Sequence, residues 1–286
     1  MAWWVAPAAL ACLQAGCSVM VDANRSQCNS DLDCMTGPSA LAAGTCVEGL
    51  CEARTEWGCA PVLGATTLTA AESMEVVLPV IDLSPRAPGA AAQASLCRKY
   101  DVSCDAPTMT MTMDASDELL LRVEPGFDGY LSVRGDDLVP TLYFLSPPLA
   151  PGERLPALTL LSPGLLEALA LEMQVPLLPD RGLGLFTIQD CSGQVSAGLA
   201  FEALPTDANT VPFYDVDGLP TASASSTGRT GSGGFMNAPV GPLSVTARLE
   251  SGALPVAGGS VLIRPGFVSH GRLLPAGVPN PSPDIP

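Results

Sequence analysis

The chain has 286 residues, 47% apolar and 15% charged, which suits about two domains of ~100–200 residues and is too apolar for wholesale disorder. Thirteen basic residues against twenty-nine acidic ones give a formal charge of −16, which repels a phosphate backbone and argues against nucleic acid as a partner. One histidine, His270, leaves no material for a two-imidazole metal site and little for histidine base chemistry.

No charged residue precedes Asp22, and MAWWVAPAALACLQAGC has the shape of an export signal's apolar region and small-residue cleavage site, so residues 1–16 are expected to be removed. The Leu-containing stretch and the Ala15-Gly16 pair directly before Cys17 resemble the bacterial lipoprotein signal. That resemblance implies a diacylglyceryl thioether on Cys17 and a membrane partner reached through the N-terminal lipid. Gln14 stands where the family pattern prefers Leu, and no Lys or Arg leads the segment. Plain secretion and a retained anchor are the alternatives, although Pro7, Gln14 and Gly16 interrupt the ~20 mainly apolar residues that a span needs. Ser18 is not the acidic residue that holds some lipoproteins at the inner membrane, so the resemblance implies the outer membrane or cell surface.

Of ten cysteines, Cys12 would leave with the signal and Cys17 would carry lipid. The remainder, Cys28, Cys34, Cys46, Cys51, Cys59, Cys97, Cys104 and Cys191, form an even set, which in an exported chain reads as disulfides. Residues 17–60 are read as a lipid anchor and cysteine-rich leader. Its first four paired-set cysteines have 5, 11 and 4 residues between them, among glycines and Pro38, and two disulfides would staple a segment too short for a core. Zinc would want close C-x2-C pairs, and calcium more oxygens than Asp31 and Asp33 supply, so a solvated loop is expected there. The pattern C-x-x-D-x-D-C followed by G-x-C-V-x-G-x-C resembles the cysteine-rich leader found after the lipid anchor in many bacterial surface proteins.

Residues 61–71 carry no charge and no period and are read as a linker. Over 72–150, strand signals follow at 74–83, 91–100, 108–114, 118–125, 128–135 and 138–145, separated by Gly and Pro. Over 151–181 a helical connector is expected: Ser162 as N-cap, Pro163 at the first helical position, one face of Leu165, Leu166, Leu169 and Met173, and Pro176 and Pro179 as its end. Over 182–270 a second strand series reads LGLFTIQD, VSAGLAFEAL, TASASST, GGFMNAP, PLSVTARLE and GGSVLIRPG. Residues 271–286 hold five prolines and are expected to form an extended or disordered tail.

The segments 110–135 and 222–249 align as an alternating strand, a turn, an apolar strand, a Pro-Gly turn and a strand containing L-S-V at 131–133 and 243–245, which suggests one plan used twice. The second copy, D-C-S-G-x-V-x-A-G-L and then T-G-x-x-G-x-G-G-F-x-N-A-P-V-G-P-L-S-V-T-A, resembles the carboxypeptidase regulatory-like, or prealbumin-like, domain family, with Gln194-Val195 and Gly228-Arg229 departing from its pattern. The resemblance covers residues 182–270 best and implies a non-catalytic sandwich used as a stalk or adhesion module, with no shared active site. The fold is therefore read as mostly β: two tandem Greek-key, prealbumin-like β-sandwiches joined by a short helix and preceded by a small disulfide-rich segment.

Cys97 and Cys104 flank a short excursion and are expected to pair, leaving Cys59 and Cys191 to clamp the two modules, or another connectivity. Ser269 and His270, adjacent on a strand, would point to opposite faces, and His270 is expected at the surface near the chain end. The acidic pairs Asp117-Glu118, Asp136-Asp137 and Asp215/Asp217 lie in turn-like contexts that favour solvation over acid/base work. Met109, Met111 and Met113 share one strand face and could offer soft thioethers to Cu(I), against which stands packing into a core with Thr108, Thr110 and Thr112 outward. After signal removal Trp57 is the sole tryptophan, a poor basis for sugar platforms. The reading is a lipid-anchored cell-envelope protein, not an enzyme and without cofactor. It would act as a structural, adhesion or binding module toward an envelope protein or polysaccharide. The alternatives are a periplasmic Cu(I)-binding protein and an exported hydrolase.

Overall fold

Cysteine spacing organises the start of the chain. The computed structural model describes residues 28–36, 44–47, 49–53, 57, 73–84, 92–113, 118–146, 149–250 and 255–275. The signal segment, Cys17, Cys59, the linker and residues 276–286 lie outside them. The leader holds a short helix α1 (Asp31–Thr36) and a hairpin of β1 (Gly44–Val47) and β2 (Leu50–Ala53) turned through Gly49, whose φ of 83° suits glycine. Cys46 and Cys51 face each other across the hairpin, and each is tied to the helical side, as Cys28–Cys46 and Cys34–Cys51. Asp33 is in the helix and its carboxylate accepts the N–H groups of Asn29 and Ser30 at 2.8 and 3.0 Å, which holds its carboxyl below the usual range. Two disulfides thus replace the apolar core that so short a segment cannot build.

The strands expected in the first half form: β3 (Met74–Asp82), β4 (Ala92–Arg98), β5 (Met109–Met113), β6 (Glu118–Val123), β7 (Gly129–Arg134) and β8 (Thr141–Leu145), with a further short β9 (Leu158–Leu160). β3 pairs antiparallel with β6 and parallel with β9 in one sheet, while β8, β7, β4 and β5 run side by side in another. Between them lies a core of Val76, Leu78, Leu96, Leu121, Leu131, Val133, Leu145 and Leu158. Alternation is clean in β3, which buries Met74, Val76, Leu78 and Val80. β8 is instead buried throughout, because Tyr143 and Leu145 enter this core while Leu142 and Phe144 enter that of the second half. A strand covered on both faces reads as an unbroken apolar run, which is what TLYFL is.

In the second half β10 (Gly182–Ile188), β11 (Leu199–Leu204), β12 (Val211–Val216), β13 (Leu219–Thr221), β14 (Ser232–Ala238), β15 (Gly241–Leu249), β16 (Pro255–Ile263) and β17 (Val268–Pro275) complete the order. A continuous sheet runs β13-β12-β14-β10-β17-β8-β7-β4-β5, and β11-β15-β16 covers one of its faces, joined to it at the end of β17. β17 is parallel to both neighbours: His270 stands opposite Leu185 of β10 on one side and Tyr143 of β8 on the other. The two halves therefore share a sheet as well as a helical connector.

Two sequence expectations change here. β17 extends to Pro275, so Gly271–Pro275, read as the start of the tail, lie in the middle of the sheet. Residues 222–227, read as a strand, are turns; Ala222 and Ala224 offer too little side chain to hold a pleated face, and β12 and β13 take the sheet edge instead. The proposed repeat thus matches only in its later part, where β6 to β7 and β14 to β15 each cross between sheets and end on L-S-V.

Helix α2 (Pro163–Glu172) begins as its sequence requires, with the Ser162 hydroxyl accepting Leu165 N–H at 3.2 Å and Pro163 at the first helical position. It ends before Pro176: Gln174 turns left-handed at φ 58°, and the N–H groups of Gln174 and Val175 reach Leu171 O and Ala170 O. Val175 and Ala170 then bury together against β10, β12, β14 and β17 in a third small core. Asn237 on β14 fastens the segment after the helix, accepting Leu178 N–H at 3.0 Å and donating to Pro176 O at 2.9 Å from a backbone held at φ 52°. Asn237→Ala is expected to cost about 2–3 kcal/mol, two hydrogen bonds plus left-handed strain. Asn237→Gly should recover about 1 kcal/mol of that in urea unfolding, because glycine relieves the strain alone.

Candidate functional site

The face of the central sheet opposite β11-β15-β16 is not fully covered by α2. Between them a half-open cleft of about 660 Å³ remains. Its floor is Leu183, Leu185 and Thr187 of β10, Phe213 of β12, Ser232 and Met236 of β14 and His270 of β17. One wall is the face of α2 expected from sequence, Leu165, Leu166, Leu169 and Met173; the other is Pro156 to Leu161 with Ile81 and Leu83 at the end of β3. The β12–β13 hairpin closes one end, and its Leu219, 67% exposed, forms an apolar rim with Ile81, Leu83 and Val195. Exposed apolar side chains gathered at the mouth of an apolar cleft mark a surface for a ligand or partner, unlike the same residues scattered singly.

His270 is a correction to the surface position expected for it: only 7% exposed, it lies on the cleft floor near Tyr143, ring centroids 6.1 Å apart. Its Nε2 donates to Thr159 O at 3.1 Å, since a carbonyl can only accept. Ser269 does point to the opposite face and donates to Leu262 O at 2.7 Å. Burial lowers the imidazole pKa from 6.5 to about 4, so the ring is neutral at physiological pH. The folded state refuses a proton that the unfolded chain takes up near pH 6.5. His270 therefore leaves stability unaffected above that pH and removes about 3 kcal/mol as pH falls from 6.5 to 4. The difference between the parent chain and His270→Gln in urea titrations should grow across this window and stay level above it.

Beside the cleft, Arg272 continues the same face of β17. Its guanidinium, 3% exposed, donates to Glu153 at 2.5 Å and to Ser146 O at 2.7 Å, and the Tyr143 hydroxyl donates to Pro156 O at 2.7 Å. Burial raises the Tyr143 pKa, keeping it a neutral donor. A second link joins the halves where Arg264 donates to Tyr130 Oη at 3.0 Å and lies over the Tyr130 and Phe267 rings.

The other sequence candidates lie elsewhere. Cys97 is joined to Cys104, and Cys191 is disulfide-bonded; Cys59, the partner expected for it, falls outside the described residues. The Sγ atoms of Cys28, Cys34 and Cys51 lie within 4.8 Å of one another, but all three are in disulfides and offer no thiolate to a metal. Met109 and Met111 are half-buried and Met113 is buried, all against the first core, with Thr110 and Thr112 exposed. Asp136 and Asp137 are exposed in the turn before β8, and Asp117 is outside the described residues; of the last pair, Asp217 is exposed in the β12–β13 turn, while Asp215 lies at the edge of the cleft with its carboxylate accepting the Gly218 N–H at 2.7 Å. Trp57 is 8% exposed within the second core and gives no platform. Sequence reading missed the cleft because its floor includes β12 and β17; the Asp217-Gly218 dipeptide between apolar residues was the signal for the β12–β13 hairpin.

Among the described residues no helix is long and apolar enough to cross a membrane. No protein-family model matches the chain, and no curated protein sequence does. Among solved structures it is similar to the shaft pilin SpaA of Lactobacillus rhamnosus GG, at 10% identity over 72% of this chain and 99% of that one, with a TM-score of 0.22. It is similar to a streptococcal ancillary pilin at 10% identity over 71% and 69%, TM-score 0.23. It is also similar to the Bacillus anthracis TIE protein at 11% identity over 71% and 34%, TM-score 0.21. At these values no function passes from those proteins to this chain.

Proposed function

We propose that this chain is a non-catalytic binding module, exported and held at the cell envelope by a lipid on Cys17, with the cleft beneath α2 as its binding site. The observation that carries the reading is the cleft itself: about 660 Å³, walled by leucines, with an apolar rim, in the ~300–1,000 Å³ range of small-molecule sites. Its polar groups speak for binding over turnover. The one imidazole donates to a backbone carbonyl, and the Thr187 and Ser232 hydroxyls lie 3.4 Å from each other on the floor. Disulfides at Cys28–Cys46, Cys34–Cys51 and Cys97–Cys104 support export, since such bonds persist in oxidising compartments. The resemblance of residues 182–270 to carboxypeptidase regulatory-like domains agrees with an accessory, non-catalytic role.

Two measurements test the two parts. Nile red, a neutral apolar dye, should bind the disulfide-intact chain saturably at one site, and Leu169→Asp, which places a charge on the α2 wall, should weaken it at least about tenfold. Absence of saturable binding would remove the cleft as a binding site. In a bacterial host, the mature N-terminal peptide should carry a diacylglyceryl mass on Cys17 that disappears in Cys17→Ala; an unmodified terminus would make the module a secreted one.

A further inference from the structure

The cleft discriminates by charge. Among the described residues lining it there is no Lys or Arg, and its one acid, Asp215, has Oδ1 engaged by the Gly218 N–H at 2.7 Å. A carboxylate or phosphate entering the cleft would lose its water and meet no counter-charge, within a chain whose formal charge is already −16. Most of the remaining wall is aliphatic, so the bulk of the occupant must be uncharged and apolar.

Of the polar groups on the floor, the Thr187 and Ser232 hydroxyls already engage each other and Ser232 donates to Thr230 O, which leaves the His270 ring as the group without a second partner. Because Nε2 of His270 donates to Thr159 O, the proton sits on Nε2 and Nδ1 carries a lone pair. His270 is more than nine-tenths buried, and Nδ1 has no hydrogen-bond partner among the described residues. Nδ1 is not sealed from solvent, so water can reach it through the cleft, and a ligand that excludes that water must supply a donor in its place. Burial keeps the ring neutral at physiological pH, which preserves the lone pair.

We propose that the cleft binds an uncharged, mainly aliphatic molecule bearing a hydroxyl group, and that this hydroxyl donates to Nδ1 of His270. The proposal rests on the binding-module reading above and specifies its ligand class. An ether of the same size fills the same volume but brings no donor; a fatty carboxylate brings charge that the walls do not answer.

The test uses the full chain with disulfides intact and three probes, decanol, nonyl methyl ether and decanoate, each titrated against bound Nile red at neutral pH. Decanol and the ether have equal numbers of heavy atoms, so their difference isolates the donor. Decanol should displace the dye with a Kd about 5–10-fold lower than the ether, the ratio one ordinary hydrogen bond provides, and decanoate should be the weakest. Since the chain has a single histidine, its imidazole nitrogen resonances need no assignment, and decanol should shift the Nδ1 signal while the ether leaves it in place. His270→Phe should erase the preference for decanol and keep binding of the ether; if that variant does not fold, the nitrogen spectrum of the parent chain decides. Equal affinity for decanol and ether, or decanol binding with Nδ1 unmoved, overturns the hydroxyl assignment and leaves the cleft as a site. Tightest binding by decanoate overturns the neutral preference. Failure of the dye itself to bind overturns the underlying reading.

Discussion

Replacing Arg272 by alanine should destabilise the folded chain by about 3–5 kcal/mol, the usual loss when one partner of a buried ion pair is removed. Its guanidinium is 3% exposed, reaches Glu153 and the Ser146 carbonyl, and joins β17 to the connection that follows β8. Without it, the Glu153 carboxylate keeps only the Ala150 N–H at 2.8 Å, and the Ser146 carbonyl loses its charged donor. The Glu153 side chain is 25% exposed, so water relieves part of the loss and the lower end of the range is expected. The double variant Arg272→Met with Glu153→Leu should recover most of the stability, because no charge is then stranded. Urea unfolding of the three variants measures this; a double variant no better than Arg272→Ala would mean that packing of the arginine stem, not the charge pair, holds the junction.

Phe186→Ala should cost about 3–5 kcal/mol, toward the upper end. The ring is 1% exposed and lies edge-on to Phe235 at 6.2 Å between centroids. It is seated beside two glycines: a Cβ at Gly184 would come within 3.0 Å of the ring and one at Gly271 within 2.9 Å. Backbone in hydrogen-bonded strands cannot move in to fill the space the ring leaves, so the cavity persists where a site ringed by flexible side chains would partly collapse. Denaturant midpoints measure the loss, and uptake of benzene by the variant, absent in the parent chain, would report the retained void. A loss below about 1.5 kcal/mol would show that the strands close over the gap.

Period-two patterning made most of the first half legible. β3 and β5 alternate as their residues dictate, and β8 reads as a doubly buried run. α2 was legible through its cap and Pro163, though it stops at a left-handed Gln174 before either proline. β17 was hidden by its own polarity. Ser269, His270 and Arg272 look like tail residues in VSHGRLLP, yet all three are buried because groups 7 to 126 residues away supply their partners: Leu262 O, Thr159 O, Glu153 and Ser146 O. Nothing local announces such partners. β12 was obscured by Pro212, which is exposed, and by Asp215, which serves the turn. The cleft needs both strands for its floor, so it became visible only once they were placed.

β17 follows every other described strand in the chain yet lies between β8 and β10 at the centre of the sheet. A chain emerging from a ribosome can assemble the β3-β6-β9 layer and the β10-β14 pair early, but β8 and β10 then present bare hydrogen-bonding edges until β17 arrives. Completion of the central sheet is thereby deferred until Val268–Pro275 have been made. The same arrangement exposes it to edge-to-edge aggregation if synthesis stops short of Val268. Loss of the final strand should therefore yield insoluble material, where loss of a peripheral one such as β13 would leave the central pairing intact.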